Sequence, residues 1–187
     1  MNNILQRSIS RSVPSFAGRQ LLLLIVGCMA FGACNYSFKD VSIPPEVKTI
    51  KINFLENRAG YVNPQLSPQL TDKLRQKINN QTRLSQVQGD DAHYEVSGTI
   101  TGYNVSTSGI SNQQAATNRL TVTVHIIFSN RLDPTGKTVA PKDFEEDISQ
   151  SFDFSANLSL QQAETQLLPT ILNNMTDAIF NRLFSNW

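Results

Sequence analysis

Few side chains in this 187-residue chain have the type and spacing to do covalent or metal chemistry. His93 and His125 are the only histidines, and no His-x-x-His or Cys-x-x-Cys spacing exists to converge on an ion, so no metal site is expected. His125 lies in a run of threonine and β-branched residues, where a strand residue on a polar surface is the simplest reading. Serines are plentiful, yet no Gly-x-Ser-x-Gly turn presents one as a nucleophile. Gly98 and Gly102 fall inside a strand pattern rather than at a strand-to-helix turn, so they form no phosphate-cradling loop. They are read as making room for a large side chain on a helix, with a bulge or a close backbone approach as the other possibility. Glu145, Glu146 and Asp147 make an acidic run, but successive strand residues point to opposite faces and do not form an acid–base pair. The expectation is no catalytic residue, no cofactor and no enzyme.

The chemistry that the sequence does support is acylation of a thiol. Arg7, Arg11 and Arg19 come first, with no acidic residue among them. An apolar run from Leu21 to Val26 follows, and then the small residues Gly32 and Ala33 stand directly before Cys34. A basic segment, an apolar segment and a small-residue cleavage site make a secretory signal. With cysteine next, the signal resembles that of bacterial lipoproteins, in which the Cys carries acyl chains and becomes the first mature residue. Ile25-Val26-Gly27-Cys28 also fits the lipoprotein box, but its apolar run is shorter, so Cys34 is favoured and Cys28 is the alternative. Leu21 to Ala33 is shorter than the ~20 apolar residues of a spanning helix. The expected organisation is a signal over 1–33, a lipidated N-terminus and tether over 34–46 stiffened by Pro44-Pro45, and a single domain over 47–187. Removing the signal leaves thirteen basic and fifteen acidic residues, a net −2, which argues against nucleic acid as a partner.

Hydrophobic periodicity orders the elements as β-α-β-β-β-α. Val47 to Leu55 alternates, with Ile50, Ile52 and Phe54 on one face. Leu66, Leu70, Leu74 and Ile78 mark an amphipathic helix from about Pro64 or Ser67 to Thr82, with Ser67 a good N-cap before Pro68. In Ala92 to Val105, Tyr94, Val96 and Ile100 share a face, and Thr99, Thr101 and Tyr103 share the other. Arg119 to Arg131 places Leu120, Val122, Val124, Ile126 and Phe128 inward. From Lys142 to Ser155, Phe144, Ile148, Phe152 and Phe154 point inward. The last helix runs from Ser159 to about Phe184, with Ser159 and Gln162 at capping-box spacing and Pro169 inside, where it should kink or divide the helix. These elements make an α+β two-layer sandwich, a four-stranded sheet with two helices packed on one face.

That fold leaves a sheet face of Thr, Ser, Glu, Asp and His to meet water or a partner. The polar stretch Ser106 to Asn118 is read as a flexible hairpin tip that could insert into a partner. The candidate partner or ligand contacts are Ser106, Asn112, Gln113, Arg119, Thr121, Thr123 and His125.

Three segments carry a resemblance to a known family: Cys34-Asn35-Tyr36-Ser37-Phe38, Ser42 to Ile50 (SIPPEVKTI) and Ile179 to Trp187 (IFNRLFSNW). The chain resembles the LPS-assembly lipoprotein (LptE) family in its Bacteroidetes-type form. The resemblance implies a lipid-anchored protein of the outer membrane, facing the periplasm. It also implies a one-to-one complex in which the protein plugs the lumen of the LptD β-barrel and supports its assembly and lipopolysaccharide insertion. Direct contact with lipopolysaccharide is a further implication, although the matching end is poor in Lys and Arg. A lipoprotein that carries a lipid or another amphiphile independently in the periplasm is the alternative.

Overall fold

The computed structural model describes residues 43–111, 114–132 and 142–185. By its contacts the chain divides after Lys39, and every described residue belongs to the second unit. Cys28, Cys34, Asn112 and Gln113 lie outside the described residues.

The elements are β1 (Thr49–Ile52), β2 (Glu56–Asn57), α1 (Leu66–Gln81), β3 (Ser85–Gln86), β4 (Tyr94–Ser111), β5 (Gln114–Asn130), β6 (Phe144–Ser155) and α2 (Leu160–Phe184). The class is α+β, as the periodicity indicates, but the sheet has six strands rather than four, in the order β3-β1-β4-β5-β6 with β2 also on β4. It is mixed. β3, β1, β2 and β4 run parallel, whereas β4, β5 and β6 form an antiparallel meander. A parallel pair needs a crossover, and α1 supplies it between β1 and β3.

Apolar alternation builds the core. Ile50, Val96, Ile100, Leu120, Val122, Val124, Ile126 and Phe128 are wholly buried on one sheet face. Leu66, Leu70, Leu74 and Ile78 of α1, with Ala163, Ile171, Met175 and Ile179 of α2, belong to the same core cluster. Each fully buried Leu or Ile contributes roughly 1.5–3 kcal/mol of hydrophobic stabilisation.

Several expectations are corrected. The first strand stops at Ile52; the Asn53 N–H still donates to the Val96 carbonyl at 2.9 Å, but the Leu55 backbone turns to the helix. The Leu55 N–H donates to Thr71 Oγ1 at 3.1 Å, and the Leu55 carbonyl accepts from Ser67 Oγ. Leu55 therefore becomes the buried residue and Phe54 turns outward, 53% exposed. Ser67 is accordingly not the N-cap. Its hydroxyl serves Leu55, and α1 begins two residues earlier, after Gln65, with no side-chain cap.

A second correction follows from a bulge. The β4–β5 register shifts between Ile100 and Gly102. One extra residue reverses the alternation, so Tyr103 joins the helix-facing side and is buried. The glycines answer to strand approach rather than to a helix. A Cβ on Gly98 would stand 2.8 Å from the His125 carbonyl and 2.9 Å from Leu55 Cδ2, and one on Gly102 would stand 3.0 Å from Thr123 Cβ.

The described residues of the stretch from Ser106 to Asn118 are strand. β4 extends to Ser111 and β5 starts at Gln114, paired Ser106↔Arg119, Thr107↔Asn118 and Ser111↔Gln114. Low hydrophobicity hid this strand pair, whose stability comes from backbone pairing with the long strands below it. The capping box at Ser159 and Gln162 forms as the spacing indicates. α2 then runs undivided through Pro169, which is exposed. The buried residues on either side, Ala163 and Ile171, hold both halves to one core. That packing offsets an interior proline's cost of about 3 kcal/mol.

Candidate functional site

The sheet face away from the helices is a ladder of directly opposed polar pairs. β5 and β6 pair without a register shift, so Arg119, Thr121, Thr123 and His125 stand opposite Asp153, Ser151, Ser149 and Asp147. Arg119 is bidentate to Asp153, with Nε and Nη2 at 2.7 and 2.9 Å from the two carboxylate oxygens. The hydroxyls of Thr121 and Ser151 lie 3.0 Å apart, and those of Thr123 and Ser149 lie 2.8 Å apart. His125 Nδ1 is 2.8 Å from Asp147 Oδ1, and its Nε2 is 3.8 Å from Glu145 Oε2. An ionised carboxylate only accepts, so the Nδ1–H donates to Asp147. The Arg119 guanidinium holds Asp153 below the usual carboxylate range, and Asp153 raises Arg119 in return.

A second network occupies the β1–β4 side. Lys51 Nζ lies 2.6 Å from Asp90, and Arg131 pairs with Glu95. The Asn53 amide donates to Glu95 Oε1 and Ser97 Oγ, both at 2.8 Å. Lys51 holds the Asp90 carboxyl low. Arg119 is thus matched by Asp153, Lys51 by Asp90 and Arg131 by Glu95. The threonine and serine pairs between them offer neutral hydrogen-bonding groups to a partner.

Of the sequence-derived contacts, the structure brings Arg119, Thr121, Thr123 and His125 onto one column, and Ser106 of β4 pairs with Arg119 from the other side. The residues that complete the column, Ser149, Ser151 and Asp153, were legible as outward-facing, but their partners were not. The polypeptide between β5 and β6 is too long for its turn to set the register.

Sequence reasoning also missed a buried polar cluster above the bulge. Glu164 of α2 is 8% exposed and accepts from Tyr103 at 2.8 Å and Tyr61 at 3.2 Å. The two rings stack with centroids 5.4 Å apart. Burial and the neighbouring Glu164 carboxylate raise the Tyr103 phenol well above its ordinary range. Unbonded tyrosines are usual strand residues, and only the bulge brings Tyr103 to the helix side.

Among the described residues, no group of three or more His, Cys, Asp or Glu side chains could hold a metal ion. No described helix is long and apolar enough to cross a membrane.

Residues 47–183 match the sequence-family model of LptE, lipopolysaccharide assembly. Among curated proteins, none matches the chain in sequence. Solved structures do resemble it. A minor lipoprotein from Acinetobacter baumannii aligns with TM-score 0.48 and 13% identity, over 75% of this chain and 92% of that one. The hypothetical protein CT253 from Chlamydia trachomatis aligns with TM-score 0.49 and 6% identity, over 75% and 99%. Rare lipoprotein B from Shewanella oneidensis aligns with TM-score 0.42 and 12% identity, over 71% and 89%.

Proposed function

Because the chain belongs to the LptE family of lipopolysaccharide-assembly proteins, we propose that it is a lipid-anchored subunit of an outer-membrane translocon. In this reading Cys34 carries the acyl chains, and residues 35–46 tether the domain on the periplasmic side. The domain plugs the lumen of an LptD-type β-barrel one-to-one, supports the barrel's assembly and helps lipopolysaccharide reach the surface. Its role is structural rather than catalytic. The family match from β1 to the end of α2 carries this reading. The polar column of β5 and β6 supports it, since the interior of a large outer-membrane barrel is polar and water-filled. Arg119, the one cation of that column, is already held by Asp153. The surface therefore suits contact with the barrel wall better than capture of an anionic lipid.

Photo-crosslinking residues placed in cells at Thr121, at Ser151 and at Asn79 on the helix layer test the plug. Adducts with an LptD-type barrel are expected. No barrel adduct from any of the three positions would overturn it.

A further inference from the structure

The helix layer carries a polar cleft between α1 and α2. Lys73, Gln76, Lys77 and Asn80 recur along α1 at three- and four-residue spacing, and Asn173, Thr176 and Asp177 do the same on α2. These two polar rows face each other across a cleft of about 220 Å³. The volume lies below the ~300 Å³ at which pockets for whole organic ligands begin, and it suits a single headgroup.

The charges in the cleft are not all paired. Lys77 Nζ is 3.0 Å from Asp177 and stands over the Phe180 ring, 5.0 Å from its centroid, which neutralises the one carboxylate present. Lys73 Nζ donates to the neutral Asn173 Oδ1, and no carboxylate partners it among the described residues. One positive charge is therefore left over. In addition, Thr176 is 3% exposed and its buried hydroxyl has no hydrogen-bond partner. A buried polar group without a partner is costly unless a ligand or water completes it.

We propose that this α1–α2 cleft binds a phosphate group, with Lys73 as the principal charge and Asn173 and Thr176 as further hydrogen-bonding groups. Lysine serves phosphate as a compact point charge. The amides on both helices supply more N–H groups than a planar carboxylate would use. The site lies on the layer opposite the polar sheet face, and a phosphate titration reads it separately from the barrel crosslinks.

The test uses the full chain in detergent, labelled with nitrogen-15 and titrated with inorganic phosphate, with glycerophosphoethanolamine and with sodium chloride at matched ionic strength. Saturable amide shifts confined to α1 and α2 around Lys73 and Thr176 are expected. Lys73→Gln should weaken the apparent affinity by about tenfold, the loss of one charge-assisted hydrogen bond, and Lys73→Arg should restore it. Saturation by inorganic phosphate alone supports the site and identifies a free phosphate as its ligand. Saturation by the diester as well supports it and identifies a lipid headgroup. Shifts that only follow ionic strength, or that survive Lys73→Gln unchanged, would overturn the proposal.

Discussion

Arg119 on β5 and Asp153 on β6 stand directly opposite each other and share two parallel N–H···O bonds, closing the upper end of the polar column. Both side chains are about half exposed, so solvent screens the pair and its main effect is to fix the geometry of the face. Arg119→Glu sets two acids opposite each other. It should lower the unfolding midpoint only slightly while sharply reducing barrel crosslinks from Thr121. Equal crosslinking in the variant and the parent would show that the column is not the contact.

The same pair sets part of the acid response. Asp153 titrates below its unfolded value of about 4. Its contribution is therefore present above that value and is lost as pH falls through the lower folded one. Asp153→Asn should flatten the acid limb of a stability–pH curve and leave the neutral region almost unchanged, as read by denaturant unfolding at successive pH values.

Two buried tyrosines should behave oppositely. Tyr103 donates to the buried Glu164 carboxylate, so Tyr103→Phe removes one of its two phenol donors and should cost about 1–3 kcal/mol. The Tyr94 hydroxyl is buried with no partner, so Tyr94→Phe should be neutral or slightly stabilising. Burial pushes Tyr94 up to about 12 and raises Tyr103 as well. Their contribution is complete below the unfolded value near 10 and declines as pH rises toward the folded ones. Either Phe variant should weaken the alkaline loss of stability. Chemical unfolding at neutral pH and at about pH 11 reads both effects.

Gly98 is fixed by backbone, since an added Cβ would press on the His125 carbonyl as well as on Leu55 and Ile126. Gly98→Ala should destabilise by about 1–3 kcal/mol. Gly60→Ala meets nothing within 4 Å and should stay within about 0.5 kcal/mol of the parent. Thermal unfolding of the two variants side by side decides the matter.

If Cys34 is the acylated residue, Cys34→Ala should abolish incorporation of labelled palmitate and release the protein from the membrane fraction. Cys28→Ala should retain both. The reverse pattern would move the mature N-terminus to Cys28.

Much of this fold is legible in the sequence because its strands and helices carry clean periods. Leu120 to Phe128 alternates with Ile127 as its one exception, and Leu66, Leu70, Leu74 and Ile78 return every four residues. What escaped has local causes. The bulge before Gly102 turns Tyr103 inward, and pattern counting assumes an unbroken period of two. Side chains of α1 take up the Leu55 backbone, a long-range event with no signature at Leu55 itself. β2 and β3 are each two residues long, too short to show any period. The candidate column was half visible. Thr121, Thr123 and His125 announce a polar face, whereas their partners on β6 depend on a register that only the folded sheet sets.

The barrel role is tested most directly by isolating the tagged full chain from outer membranes in mild detergent and measuring its partners and their ratio by mass spectrometry. Recovery of an LptD-type barrel near one-to-one is the expected result. Recovery of the lipoprotein alone, as a free or lipid-loaded monomer, would contradict the plug and favour an independent carrier of lipid.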